Sequence, residues 1–554
     1  MLKTYAYPKY EYQQPQEQLE RSVARYPVVI VGAGPVGMAA AIDCRLHGIP
    51  VVLLDEDDTV SVGSRGVCYA KRALEILDRL GVGDRVVAKG VSWNVGRTFF
   101  RDEEVFNFNL LPEPDHKRPG MINLQQYYLE EYLVDRCVEL GVDMRWKNRV
   151  VSVQRMSDGV RATIETPDGT YGIEAEWLIA ADGARSPIRK QMGLEVEGKV
   201  FQDRFLIADV VMKADFPAER WFWFDPPFHP NQSVLLHRQA DNVWRIDFQL
   251  GWNADPEEEK KPEKVIPRIK AMLGDEREFE LEWVSVYTFQ CRRMQEFRHG
   301  RVLFVGDAAH QVSPFGARGA NSGIQDADNL VWKLKLVLDG KALEGLLDTY
   351  STERVAAADE NLMNSTRSTD FITPKSAASR TFRNAVLTLA EHHTFARALV
   401  NSGRLSVPVV LADSPLTTAD EEPFSGSMVP GAPMDDAPVG IGDKKAWLLD
   451  QVGNTFQLLY FTDVAERLAG KLDELRGLSM DAVPVEPVII SEKAGAMDGV
   501  RVLHDLMHLV ARRYDAREGS VYLLRPDQHV VARWRKFDAH KIRAAVARAT
   551  CNPQ

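Results

Sequence analysis

Apolar residues follow three patterns along this chain. In the first they stand together without alternation: 28–31, 51–54, 177–181 and 302–305 are short apolar runs, each ending at a glycine or an acidic residue. Such runs predict strands covered on both faces. In the second, apolar residues recur at spacings of three and four. Ile324, Ala327, Leu330, Val331, Leu334 and Leu338 form one such stripe, which predicts a helix with Asn321 as N-cap and a stop near Gly340. Shorter stripes predict helices from about residue 35 to His47, over 70–80 and from near Asn123 to Leu140, and 341–410 reads as mainly helical. In the third, apolar and polar residues alternate. Trp244-Arg245-Ile246-Asp247-Phe248 is the clearest case, and with 205–211 and 233–236 it predicts a mostly antiparallel sheet within 198–290. Runs 150–164 and 171–173, with turns at Asp158-Gly159 and Asp168-Gly169, read as a meander.

Length and punctuation divide these elements. A chain of 554 residues exceeds one core and predicts about two or three domains. The stretch 413–438, rich in Pro, Gly, Ser and acids, marks a boundary; beyond it 456–461, 485–490 and 521–524 read as strands with helices between. The expected division is an arm over 1–26, an α/β nucleotide-binding fold over 27–197 and 291–412, an inserted sheet over 198–290 and a C-terminal domain over 424–554. The polar, Tyr- and Gln-rich arm is expected to pack on the surface or on a partner subunit.

Charge and cysteine use narrow the partners. A net charge of −11 without any basic run argues against nucleic acid. The five cysteines show neither metal-ligand nor redox spacing, which suits a reducing cytoplasm and leaves no metal site to propose. The N-terminus has no apolar core, and the most apolar run, 28–42, is broken by three glycines and a proline. A signal peptide and a membrane span are therefore not expected, and the protein reads as soluble and cytoplasmic.

Candidate chemistry sits where the buried runs end. The run 28–31 flows into Gly32-Ala33-Gly34-Pro35-Val36-Gly37, a helix follows, and the next run ends in Asp55. This is a dinucleotide fingerprint in context: glycines for the tight turn and the close pyrophosphate, a helix N-terminus facing it, and an acid for a ribose. The run 177–181 ends in Asp182-Gly183-Ala184-Arg185-Ser186. The run 302–305 ends in Gly306-Asp307, followed by a loop with Pro314, Gly316 and Gly319 that can approach a flat ligand. Arg65 offers a charge to phosphate, and Gln126, in a helical first turn, offers an amide. In the sheet region Trp221, Phe222, Trp223, Phe224, Phe228, His229 and His237 gather into an aromatic-rich stretch that suits a flat substrate. Tyr287 is the leading polar candidate to orient or deprotonate a phenol, with His237 beside it. His229, His237, Arg238 and Arg245 either bind a substrate carboxylate or lie on the outer face of the sheet.

Gly32–Gly37 with Asp55, the 180–186 segment, and 305–310 with 314–327 together resemble the FAD-dependent aromatic hydroxylases, the single-component flavoprotein monooxygenases of the para-hydroxybenzoate and phenol hydroxylase type. Within these the chain is similar to the 3-(3-hydroxyphenyl)propionate hydroxylase-like group. The resemblance covers roughly 27–400. It implies a Rossmann-like FAD domain in which Gly32, Gly34, Pro35 and Gly37 hold the pyrophosphate, Asp55 the adenosine ribose, and Arg65 and Gln126 further parts of the FAD. It also implies that Asp182 serves both FAD and NAD(P)H, that Asp307 binds the ribityl chain, and that Pro314 with Gly319, Ala320 and Asn321 borders the isoalloxazine. Trp223, His229 and Arg245 are the candidate substrate contacts.

The activity implied is hydroxylation of a phenolic or similarly activated ring, consuming NADH or NADPH and O₂ and proceeding through a flavin C4a-hydroperoxide, by a homodimer acting on a small aromatic. A reductase or oxidase of the same fold without oxygen insertion is the alternative. A halogenase lacks support, because its Gly-Trp-x-Trp-x-Ile-Pro segment is missing from the sequence; a non-catalytic flavoprotein remains the third. The C-terminal region resembles the thioredoxin-like domain of phenol hydroxylase relatives, but it has no Cys-x-x-Cys, and its sole cysteine is Cys551. Thiol redox chemistry is excluded there, leaving a structural or oligomerisation role.

Overall fold

The computed structural model describes residues 4–274, 276–400 and 405–553. The four contiguous apolar runs are neighbours in one sheet. Ala24–Val31 lies between Val51–Leu54 and Gly169–Ala180 and parallel to both, and Val302–Phe304 adds parallel to the far side of Gly169–Ala180. The sheet is covered on both faces, so Val28, Val29 and Ile30 are fully buried without any alternation. Pro35–Leu46 and Gly319–Leu338 bring Met38 to Ile42 and Ile324, Leu330 and Leu334 into this core. Each such fully buried aliphatic side chain contributes about 1.5–3 kcal/mol. The two helices meet closely at Gly323, where an added Cβ would lie 2.5 Å from Val36 and 3.1 Å from the Gly306 Cα.

The alternating region forms a second, eight-stranded sheet, antiparallel except where Arg220–Phe224 runs parallel to Val95–Phe100. It reaches beyond 198–290, because Val95–Phe100 and Glu103–Asn109 complete one edge and His310–Gln311 the other. Its outer face, with Trp223, Trp244, Ile246 and Phe248, packs on Val265 and Ile269 of the Pro262–Leu273 helix. Its inner face carries Phe205, Phe222, Leu235 and Phe289 against Phe315, from the loop that precedes Gly319–Leu338.

A third, seven-stranded mixed sheet lies in the C-terminal region. One of its two cores takes in Trp332, Ala342 and Leu346, so it packs directly against the Gly319–Leu338 helix. A buried ionic network seals this seam. The Glu353 carboxylate accepts from Lys333 Nζ (2.7 Å), Asn329 Nδ2 (2.7 Å), Arg525 Nη1 (2.6 Å) and Ser414 Oγ (2.5 Å). Arg525 is held in turn by Asp527.

Two local expectations change. The helix placed from near Asn123 starts at Gln126, because Met121–Asn123 pairs with Cys68–Ala70 and Val91–Trp93 in a small sheet. Asn321 is no N-cap: Gly319–Leu338 begins two residues earlier, after Arg318. The described part of the arm packs on its own chain, with Tyr5 stacked on Tyr127 (4.2 Å) and Tyr7 Oη accepting from Gly63 N–H (2.9 Å). Among the described residues no helix is long and apolar enough to cross a membrane.

Candidate active site

The glycine turn divides its work in space. Gly32 has φ +107°, and an added Cβ there would meet Ala181 O at 2.4 Å; one at Gly37 would meet Gly32 O at 1.9 Å. These two glycines let strand, turn and helix close. Gly34 differs: a Cβ there would meet nothing within 4 Å. The turn therefore presents bare backbone to open space in front of the Pro35–Leu46 helix, whose first turn has no side-chain cap. Free N–H groups, a positive helix end and a vacant approach make a cradle for a pyrophosphate. Asp55 is built into the same turn, its carboxylate accepting from Ala33 N–H (2.5 Å) and Asp57 N–H (2.8 Å). Burial raises its pKa against the pull of those two amides.

At the other end of the cleft, Asp307 is surrounded by protein yet reaches water, and its carboxylate makes no hydrogen bond among the described residues. Burial raises this acid above its usual range, opposed in part by His310. The turn that carries it is braced by a residue the sequence reading missed. Asp326, fully buried, accepts from Gly306 N–H (2.9 Å), His310 Nε2 (2.6 Å) and Arg354 Nε (2.6 Å). A second missed brace is Arg189, which donates to Ala308 O (2.6 Å) and Ala184 O (2.8 Å), tying the 180–186 segment to the Asp307 turn. Asp182 itself caps the short Pro187–Gln191 helix, accepting from Ser186 Oγ (2.6 Å) and Ile188 N–H (3.0 Å).

The loop to Gly319 is exposed at Pro314 and takes left-handed backbone at Gly316 (φ +131°) and Ala317 (φ +52°). Gly319 and Ala320 open the following helix, which again has no side-chain cap. Asn321 anchors this bed: its Oδ1 accepts from Ala70 N–H (2.8 Å) and its Nδ2 donates to Cys68 O (2.9 Å) and Ala317 O (2.6 Å). Gln126 also plays a bracing part. Its side chain accepts from Gly66 N–H (2.9 Å) and donates to Glu130 (2.7 Å), shaping the 61–66 loop from which Arg65 projects into water.

Of the candidates on the inserted sheet, Tyr287 faces the cleft. It is 36% exposed, its ring lies 5.9 Å from Phe289, and it feels both Asp307 and Arg65. Burial raises its pKa, so the phenol keeps its proton and serves as a donor. His237 is on the same face but only 2% exposed, and burial beside Arg245 and Arg220 holds it neutral, well below the usual range. Arg245 is engaged by Asp209 through two bonds (2.8 and 2.9 Å) and by Ser64 O, so it ties the sheet to the 61–66 loop. Trp223 and His229 face the other way. Trp223 stacks on Phe99 (5.0 Å) in the outer core, and His229 pairs with Gln249 O (2.7 Å) and meets the outer-face ring of Phe248. Strand alternation puts Trp223 opposite in direction to Phe222, and a sequence cannot say which of the two faces the ligand.

The open cradle at Gly34, the carboxylate of Asp307 left free in an enclosed cleft, and the uncapped helix start at Gly319 fit the two ends of an FAD. Residues 25–365 match the family model described as FAD binding domain. Relatives include 6-methylpretetramide 4-monooxygenase of Streptomyces rimosus, 31% identical over 70% of this chain and 71% of the relative. Another is 3-(3-hydroxy-phenyl)propionate/3-hydroxycinnamic acid hydroxylase of Mycobacterium sp. (strain JLS), 28% identical over 92% and 89%. Among solved structures, the flavin-dependent monooxygenase PieE in complex with FAD and substrate superimposes with a TM-score of 0.79 at 26% identity, covering 96% of this chain and 99% of that one. The chain thus belongs to the FAD-binding-domain family and is an FAD-dependent monooxygenase of aromatic rings, using reduced nicotinamide and O₂.

Proposed function

We propose that the protein hydroxylates a phenolic ring held between Tyr287 on the inserted sheet and the 314–321 bed. The observation that carries this reading is the row of rings from Tyr287 to Phe289 (5.9 Å) and on to Phe315 (5.2 Å), which sets the partly exposed phenol beside the 314–321 loop. When bound, FAD supplies the redox chemistry, taking hydride from NAD(P)H and activating O₂. The protein supplies the rest. Gly32, Gly34, Pro35 and Gly37 seat the pyrophosphate, Asp55 meets the adenosine ribose and Asp307 the ribityl chain. The Gly319 and Ala320 amides stabilise negative charge at the ring. Asn321, Gln126, Arg189 and Asp326 position these groups, while Phe205, Phe222 and Phe315 exclude water beside the reacting ring.

The same reading takes the parallel sheet as a Rossmann-like FAD domain over 27–197 and 291–412, with 198–290 as the core of the substrate sheet. It takes 424–554 as a thioredoxin-like domain without redox function. It also places the protein in the cytoplasm as a homodimer that takes a small aromatic and no nucleic acid. The test is NADH and NADPH consumption with a panel of phenols, with products weighed. Products heavier by one oxygen, in step with NAD(P)H, are expected. NAD(P)H oxidation that is indifferent to the phenol and yields only peroxide would overturn the reading in favour of an oxidase.

A further inference from the structure

The inner face of the inserted sheet holds three polar groups that have no partners among the described residues. Arg220 is 8% exposed and, among the described residues, makes neither ion pair nor hydrogen bond, its guanidinium lying only over the Phe222 ring at 5.4 Å. His237 Nε2 and Asp247 Oδ1 are buried and unbonded. Register puts them together. Arg220 stands opposite His237, His237 opposite Arg245, and Asp247 lies two residues beyond Arg245, on the same face. An unpaired buried donor or acceptor costs about 1–3 kcal/mol. Three such groups on one face point to a ligand that completes them.

Their chemistry is specific. The Cys68 thiol lies 3.2 Å from Asn123 Oδ1 and 3.7 Å from His237 Nδ1, and the imidazole tautomer sets the direction of the second contact. The neutral imidazole can therefore meet a ligand at Nε2 as acceptor or as donor. The subsite presents one cationic donor, one carboxylate acceptor and one imidazole nitrogen. A carboxylate would meet Arg220 well but would be opposed by Asp247. A ring hydroxyl, which both donates and accepts, satisfies the set.

We propose that Arg220, His237 and Asp247 form the oxygen-binding subsite for a phenolic substrate without a ring carboxylate, with Asp247 as the catalytic proton acceptor. This rests on the reading of the protein as a phenol hydroxylase. In the step, the phenol O–H bond breaks, an O–H bond forms at Asp247 Oδ1, and the electron pair stays on the ring oxygen facing Arg220; nothing is oxidised or reduced. Asp247 is faced by Arg245 on its own strand, Asp209 on the next, Arg220 and His237 on the other side and Cys68 from the small sheet. Burial lifts Asp247 to about 7 against the pull of Arg245, which matches an acceptor working near neutrality.

The test uses the FAD-loaded full chain. Asp247→Asn is expected to lower product formation about 100-fold near neutral pH. Activity should return as the pH nears the phenol's own pKa of about 10, where the substrate arrives already ionised. A merely structural role would give no such recovery. Arg220→Gln should raise KM, and Arg220→Lys should restore most of it. A second readout needs no turnover: wild-type protein should bind 4-nitrophenol as its coloured anion, with the bound ionisation shifted down by about one pH unit; Arg220→Gln should abolish the shift, and Asp247→Asn, which mimics the protonated acid, should keep it. Wild-type protein that leaves the nitrophenol ionisation unchanged would overturn the subsite, even if the variants fail to fold. So would an Asp247→Asn enzyme within about twofold of wild type at every pH. Absence of any oxygenated product from the wild type would instead remove the hydroxylase reading, while a persisting nitrophenol shift would keep the subsite as a binding site.

Discussion

Two regions of this protein bury charge, and they treat it in opposite ways. At the seam with the C-terminal sheet, Glu353 is satisfied by four donors and Arg525 by two carboxylates. At the cleft, Asp307 has no partner among the described residues, and Arg220, His237 Nε2 and Asp247 Oδ1 are left open on the sheet. Both regions carry the desolvation penalty, but only the seam offsets it within the protein. Completed networks hold domains together, and incomplete ones are reserved for what binds.

The largest effect is expected where completion is broken. Arg525→Met takes one of the two cations from Glu353 and the guanidinium from Asp527, and should destabilise the protein by about 3–5 kcal/mol in denaturant unfolding. If it proves neutral, the contrast between seam and cleft fails. Asp307→Asn removes a charge with no partner among the described residues, so apo-protein stability should hold or rise at neutral pH while FAD affinity falls about 10–100-fold, as for loss of a hydrogen bond to a charged group. Equilibrium titration of apo-protein with FAD measures this. Gly34→Ala should fold with an unchanged melting temperature but bind FAD about tenfold more weakly, because its Cβ occupies only the open cradle. Gly37→Ala, aimed at Gly32 O, should not fold. The smallest effect separates the regions by the sign of their pH dependence. The Lys333 and Arg525 charges hold Glu353 low against burial, so its stability is present above about 4.3 and is lost as pH falls. Asp307 is raised by burial, so its contribution is present below about 3.9 and is lost as pH rises through the folded value. Apo-protein unfolding of Asp307→Asn against wild type should lose only the latter slope.

Much of the nucleotide fold was legible because its strands are buried on both faces. Contiguous runs such as 28–31 and 302–305 then need no knowledge of register, and the acids that end them follow directly. The inserted sheet was less so. Period two shows that Trp223 and Phe222 face opposite ways but not which faces the ligand. The row Arg220–His237–Arg245–Asp209 exists only once three strand registers are known. Asn321 was misread for a related reason: a capping residue by type, it makes its hydrogen bonds to Ala70 and Cys68, some 250 residues earlier in the chain.

The sheet's wiring also bears on how the protein is made. Gly169–Ala180 has Ala24–Val31 on one side but must wait for Val302–Phe304 on the other, and Gly319–Leu338 then covers that core. During synthesis the nucleotide fold therefore stays open until residue 338 has left the ribosome's exit tunnel. The glycine turn emerges early and would be among the last parts to become able to hold its nucleotide. Vectorial folding from the N-terminus is closed to this half of the chain, and the nascent protein must keep a hydrophobic sheet edge from finding the wrong neighbour meanwhile.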